Sequence, residues 1–134
     1  MSEIRVESVK SIPLYSVVPL INHISYDSWL LRVSLFFSTE EIRQMVYVDF
    51  TDIIGFRVLD NGNLVEFWND DCPNGWLWEV SDGGWFDLEK QREGFVTGYV
   101  EKDLLTEYLV IGTDDCISIL SSSTPKITTV NTLL

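Results

Sequence analysis

The chain has 134 residues, 46% of them apolar and 13% aromatic. That length fits one domain with its own core, and the composition argues against a disordered chain. Its 21 acids against 9 bases leave a net charge of −12, which sets phosphate backbones and anionic membrane surfaces aside as direct partners.

The start, Met1 to Lys10, lacks a basic stretch followed by an apolar one and does not read as a signal peptide. A cytoplasmic setting is therefore expected, with the thiols of Cys72 and Cys116 reduced. Pro13 and Pro19 interrupt the first 25 residues, which read as an extended lead-in with room for one short strand. From Trp29 to Phe37 the odd positions Trp29, Leu31, Val33, Leu35 and Phe37 are apolar, with Arg32 and Ser34 between them. That period of two predicts a half-buried strand, and its length is far too short to cross a bilayer. Ser38 to Glu41 forms a polar connection, with Ser38 and Glu41 at capping-box spacing.

Met45 to Phe50 predicts a second strand with Val46, Val48 and Phe50 on one face. Ile53 to Leu59 predicts a third, in which Ile54, Phe56 and Val58 alternate with Gly55 and Arg57. Asp60-Asn61-Gly62 ends it, because Asn and Gly tolerate positive φ. Asn63 to Trp68 fits either a strand (Val65, Phe67) or a short helix capped by Asn63 (Leu64, Phe67, Trp68), with a slight preference for the helix. Residues 69–75 are a loop by composition. Trp76 to Val80 predicts a strand with Trp76 and Trp78 on one face and Leu77 and Glu79 on the other. Ser81 to Gly84 reads as a turn, and Trp85 to Gly98 as polar and irregular. A helical turn over Glu101 to Thr106 leads into a strand at Tyr108 to Ile111. Gly112 to Asp115 is a hairpin turn, and Cys116 to Leu120 returns with Ile117 and Ile119 on one side. The Ser/Thr-rich tail from Ser121 is an edge strand or a loose end. The sum is a single domain of α+β class, strand-rich, with a mostly antiparallel sheet and minor short helices.

Catalytic signatures do not emerge. His23 is the lone histidine and reads as a structural or surface residue. No Gly-x-Ser-x-Gly occurs, and the cysteines neighbour Asp71 and Asp115, whereas activated thiols need basic surroundings. Glu40-Glu41, Asp70-Asp71 and Asp114-Asp115 read as solvated turns. Neither a calcium loop nor a phosphate loop pattern is present. The expectation is a protein that binds and does not catalyse, with no cofactor and no metal.

The charge is unevenly spread. Residues 60–115 hold fourteen acids and three bases, while residues 1–59 hold seven and five, and the last nineteen residues hold only Lys126. Trp68, Trp76, Trp78 and Trp85 fall in the same acidic stretch. Exposed aromatics beside carboxylates suit the interface of a basic protein, whose approach opposite charge would speed. They also suit stacking on a sugar, and buried ones would instead form a second hydrophobic core. The expected contacts are Trp76, Trp78, Trp85, Asp70, Asp71 and Asp82.

The run from Gly55 to Trp68, an apolar-Arg-Val strand, an acidic turn, then Leu and an aromatic-Trp pair, resembles a pattern in small bacterial immunity proteins. Glu107 to Ile111 with Asp114 to Leu120 is similar to their closing hairpin. The resemblance covers about residues 45–125, and it departs at Asn61, where those proteins tend to carry an acid. It implies a non-catalytic inhibitor that binds a cognate toxin of a polymorphic or contact-dependent system, with the acidic, Trp-bearing face covering a basic site, such as that of a nuclease. A small-ligand or carbohydrate-binding module built on the Trp cluster is the alternative.

Overall fold

The computed structural model describes residues 5–9, 11–60, 75–82, 84–89 and 105–130. Along them run β1 (Arg5–Ser8), β2 (Leu20–Tyr26), β3 (Leu31–Ser38), β4 (Arg43–Phe50), β5 (Ile53–Asp60), β6 (Leu77–Asp82), α1 (Trp85–Glu89), β7 (Thr106–Ile111), β8 (Asp115–Ser121) and β9 (Lys126–Val130). The strands form two antiparallel sheets, one in the order β1-β6-β7-β8-β5 and one in the order β2-β3-β4-β9. The strand-rich antiparallel pattern is as expected. The helical share among the described residues is the single five-residue α1.

Period-two patterning explains why the sheets face each other. Leu31, Val33, Leu35 and Phe37 of β3 and Val46, Val48 and Phe50 of β4 are all fully buried. They meet Leu77, Tyr108, Val110, Ile117 and Ile119 of the larger sheet in one core. Burying each such side chain contributes about 1.5–3 kcal/mol before chain entropy is set against it. Tilted or edge-on ring pairs join the layers: Tyr26 with Phe56 at 5.3 Å, Phe37 with Trp76 at 5.7 Å and Phe50 with Tyr108 at 5.6 Å. They place β2 over β5 and β4 over β7.

The outer face of the five-stranded sheet carries a second apolar cluster of Trp78, Val80, Leu109, Ile111 and Cys116. Glu107 lies on the same face, 2% exposed, and accepts the backbone N–H groups of Trp85 (3.1 Å) and Phe86 (2.8 Å). This buried carboxylate pins the start of α1 to the sheet. The close approach needs Gly84, where a Cβ would stand 2.7 Å from both carboxylate oxygens and from Val80.

Local differences from expectation have local causes. The strand expected from Trp29 starts at Leu31, because residues 27–30 form a tight turn. Thr39, not Ser38, ties the next connection: its Oγ1 accepts from the N–H groups of Glu41 and Ile42. The lead-in contains two strands, β1 and β2, and the tail supplies an edge strand, β9. Ser81 and Asp82 continue β6 instead of turning, and residues 85–89 are helical. Residues 63–68 and 101–104 lie outside the described residues.

Candidate partner-binding surface

Trp76 and Trp78 do not form an exposed face. Trp76 is fully buried, donates its indole N–H to the Pro13 carbonyl (3.0 Å) and packs edge-on against Phe37. Trp78 is 2% exposed, sits in the outer cluster and donates to the Gly75 carbonyl (3.1 Å). The two indoles also leave the sheet on opposite sides, because Trp76 precedes β6 and joins Leu77 in the inner core. Gly75 makes this possible: its φ of 102° is a turn that L side chains rarely adopt, and a Cβ there would lie 2.8 Å from the Tyr15 ring. An indole is largely apolar, and its one N–H needs a single acceptor, so burial with a carbonyl partner satisfies both halves.

Trp85 is half-buried at the start of α1. Its indole N–H donates to Glu89 (3.0 Å), and the Arg57 guanidinium lies 5.0 Å from its ring. Asp82 lies in β6 opposite Arg5 of β1. Asp70 and Asp71 lie outside the described residues.

Among the described residues, the most exposed large apolar side chain is Trp29, at 85%. It stands in the turn joining β2 and β3. Asp27 Oδ1 accepts the N–H groups of Trp29 (2.8 Å) and Leu30 (2.9 Å), and the Asp27 N–H donates to the Leu30 carbonyl (3.1 Å). This Asx-type turn fixes the backbone that presents the indole. Three residues earlier, Tyr26 is 54% exposed, and its ring rests on Phe56 of β5. Val58, two residues beyond Phe56, is also exposed. Hairpin turn and sheet edge thus bring Trp29, Tyr26 and Phe56 to one end and side of the sandwich, with Val58 farther along β5. The sequence signal was Asp27-Ser28, a turn-forming pair that removes Trp29 from the strand's alternation.

The exposed acids Asp27 and Asp52 lie on turns at this end, while Asp60 closes β5 at the opposite end, across from Asp115. The nearby base Arg32 of β3 is engaged elsewhere: it forms a two-pronged pair with Asp49 (2.8 and 3.0 Å) and lies 4.3 Å from the Tyr47 ring centre. The Asp49 hydrogen bond raises the Arg32 pKa, so the guanidinium stays charged. Among the described residues, no group of three His, Cys, Asp or Glu side chains is placed to hold a metal ion. No helix there is long and apolar enough to cross a membrane.

Cys116 is fully buried, its Sγ 3.6 Å from the Leu59 carbonyl. Burial pushes its thiol from 9.0 up to about 11, against a smaller opposing pull from Arg57. At pH 8 this alone cuts the thiolate fraction about a hundredfold. In a Cys72→Ser background, a thiol reagent will therefore label folded protein at least that much more slowly than urea-unfolded protein; equal rates would refute the buried assignment. The raised value also has a sign in stability: its contribution is full below pH about 9 and is lost as pH rises through about 11.

No protein-family model matches the chain, and neither a curated protein nor a solved structure matches it.

Proposed function

We propose that the protein is a non-catalytic binding protein for a basic protein partner, and that it serves as a cytoplasmic bacterial immunity protein neutralising a cognate toxin. The observation that carries the binding reading is Trp29: an 85% exposed indole on a turn fixed by Asp27, in a chain of net charge −12. A large ring on a rigid backbone loses little entropy on binding, and Trp is enriched among residues that dominate interface energy. The acidic excess would steer a cationic partner and raise its association rate at low salt. The toxin assignment draws on the resemblance over residues 45–125, which span β4 to β8.

Copurification from the native host with mass spectrometry, followed by calorimetry on the purified pair, tests this. Trp29→Ala is expected to weaken binding at least about thirtyfold, a loss of about 2 kcal/mol, with an unchanged Tm because the ring buries little in the free protein. A variant that binds like the parent would remove Trp29 from the interface. Raising the salt should slow association; a salt-independent response to sugars, read as a shift in Trp fluorescence, would favour the carbohydrate reading instead.

A further inference from the structure

Among the described residues four strands border the two sheets, and three are interrupted. The register shifts between Arg5 and Val6 in β1, between Ile21 and His23 in β2, and between Ile53 and Gly55 in β5. Such bulges twist an edge away from further pairing. β9 pairs with β4 without any shift, and among the described residues β4 is its one neighbour. Its sequence, Lys-Ile-Thr-Thr-Val, is β-branched after the lysine and contains no acid, and Thr128 and Thr129 are exposed. Beyond Lys126 at its start it is a regular edge of high strand propensity, with no bulge to turn it from pairing.

What lies beside this edge is charged. With β2 over β5 and β4 over β7, β9 lies on the side of β6 and β1. One row across the inner face of the larger sheet runs Phe56, Ile119, Tyr108, Glu79, Glu7. Its first three residues belong to or pack on the core; its last two are exposed carboxylates directly opposite each other. Tyr108 ties them to β9: its hydroxyl bonds Thr124, two residues before that strand, and the Glu79 charge acts on it. Like charges in direct cross-strand opposition repel. Both are exposed although their row continues the inner face of the sheet.

We propose that the edge of β9 that no described residue pairs takes an extended cationic segment of the partner protein as an added strand, its inward-facing Lys or Arg side chains lying over Glu7 and Glu79. Backbone pairing supplies the attachment, and the alternation of a strand supplies the selectivity. Ile127 and Thr129 point inward with Val48 and Val46, so every second residue of the added strand points the same way. A second copy of this chain fits poorly: its β9 would bring Ile127 and Thr129 over the carboxylates, with no cation to meet them. The proposal deepens the basic-partner reading and rests on it.

The test uses the full chain labelled with nitrogen-15 and three nine-residue end-blocked peptides. One alternates lysine with threonine, one has glutamate in place of lysine, and one is the lysine peptide with alternate amides N-methylated. The lysine peptide is expected to bind in the millimolar range or tighter, to shift and protect β9 amides, and to bind at least tenfold more tightly than the other two. Glu7→Gln with Glu79→Gln should lower its affinity about tenfold, whereas Asp114→Asn, in the exposed β7–β8 turn, should leave it unchanged. Absence of binding, equal binding of the glutamate peptide, or shifts confined to the β2–β3 turn would each overturn the proposal. Capture of a basic protein that needs Trp29 but not the carboxylates would overturn it while leaving the proposed function standing. Peptide binding without capture of any basic protein would support this edge and sink the toxin reading.

Discussion

Trp76→Ala is expected to lower the unfolding free energy by about 4 kcal/mol, within the range for emptying a buried aromatic site. The indole fills space against Phe37 in the inner core, and its N–H occupies the Pro13 carbonyl. Alanine leaves a cavity and frees that carbonyl in one step, and the 11–17 loop loses an attachment to the sheet. Trp76→Phe keeps most of the volume and should cost roughly half as much, the hydrogen bond and the residual void remaining lost. Urea unfolding followed by circular dichroism measures both. A loss below about 1 kcal/mol for the alanine variant would contradict the burial of Trp76, and with it the reason for excluding that residue from the binding surface.

Glu107→Ala is expected to cost about 3 kcal/mol, because hydrogen bonds to a charged group contribute about 1.5–3 kcal/mol each and the stranded N–H groups lose their acceptor. The two donors are the first two backbone amides of α1. A five-residue helix is too short to persist by itself, so its placement depends on this anchor. Glu107→Gln retains one acceptor oxygen but turns an amide NH2 toward an N–H donor, so it should recover less than half of the loss. Chemical denaturation gives the stability; near-ultraviolet circular dichroism of Trp85 reports the helix. An alanine variant as stable as the parent would show that α1 is held by other contacts.

The parts of the fold visible in the sequence are those where alternation and burial coincide. Val46, Val48 and Phe50, and Ile117 and Ile119, face the inner core as their spacing predicts. β2 was less legible because it is an edge: Leu-Ile-Asn-His-Ile-Ser-Tyr is largely exposed and its register shifts midway, so no period survives. Trp29 looked like the first apolar position of β3 because hydropathy alone does not register the Asp27 turn. Trp76 and Trp78 look like one stripe only if both lie in the same strand. The left-handed Gly75 and the start of β6 at Leu77 separate them. Glu107 could not have been singled out, since a buried carboxylate between Thr106 and Tyr108 has the same local sequence as an exposed one. The acidic excess was plain, but which carboxylates face one another depends on strand order.

The two later crossings between sheets sit side by side. β4 passes to β5 through Thr51 and Asp52, where Asp52 takes a φ of 53°. β8 passes to β9 through Ser122 to Pro125. Ser121 Oγ donates to the Thr51 carbonyl (2.8 Å), Ser122 N–H to the Asp52 carbonyl (3.2 Å) and Ser123 Oγ to the Asp52 carboxylate (2.6 Å). The sandwich is thus clasped at this end by its two later crossings, and at the far end by the 11–17 loop, which Trp76 holds through Pro13. The indole of Trp29 projects beside those two crossings, from a turn already knotted by Asp27, so a visiting molecule would have little backbone left to freeze.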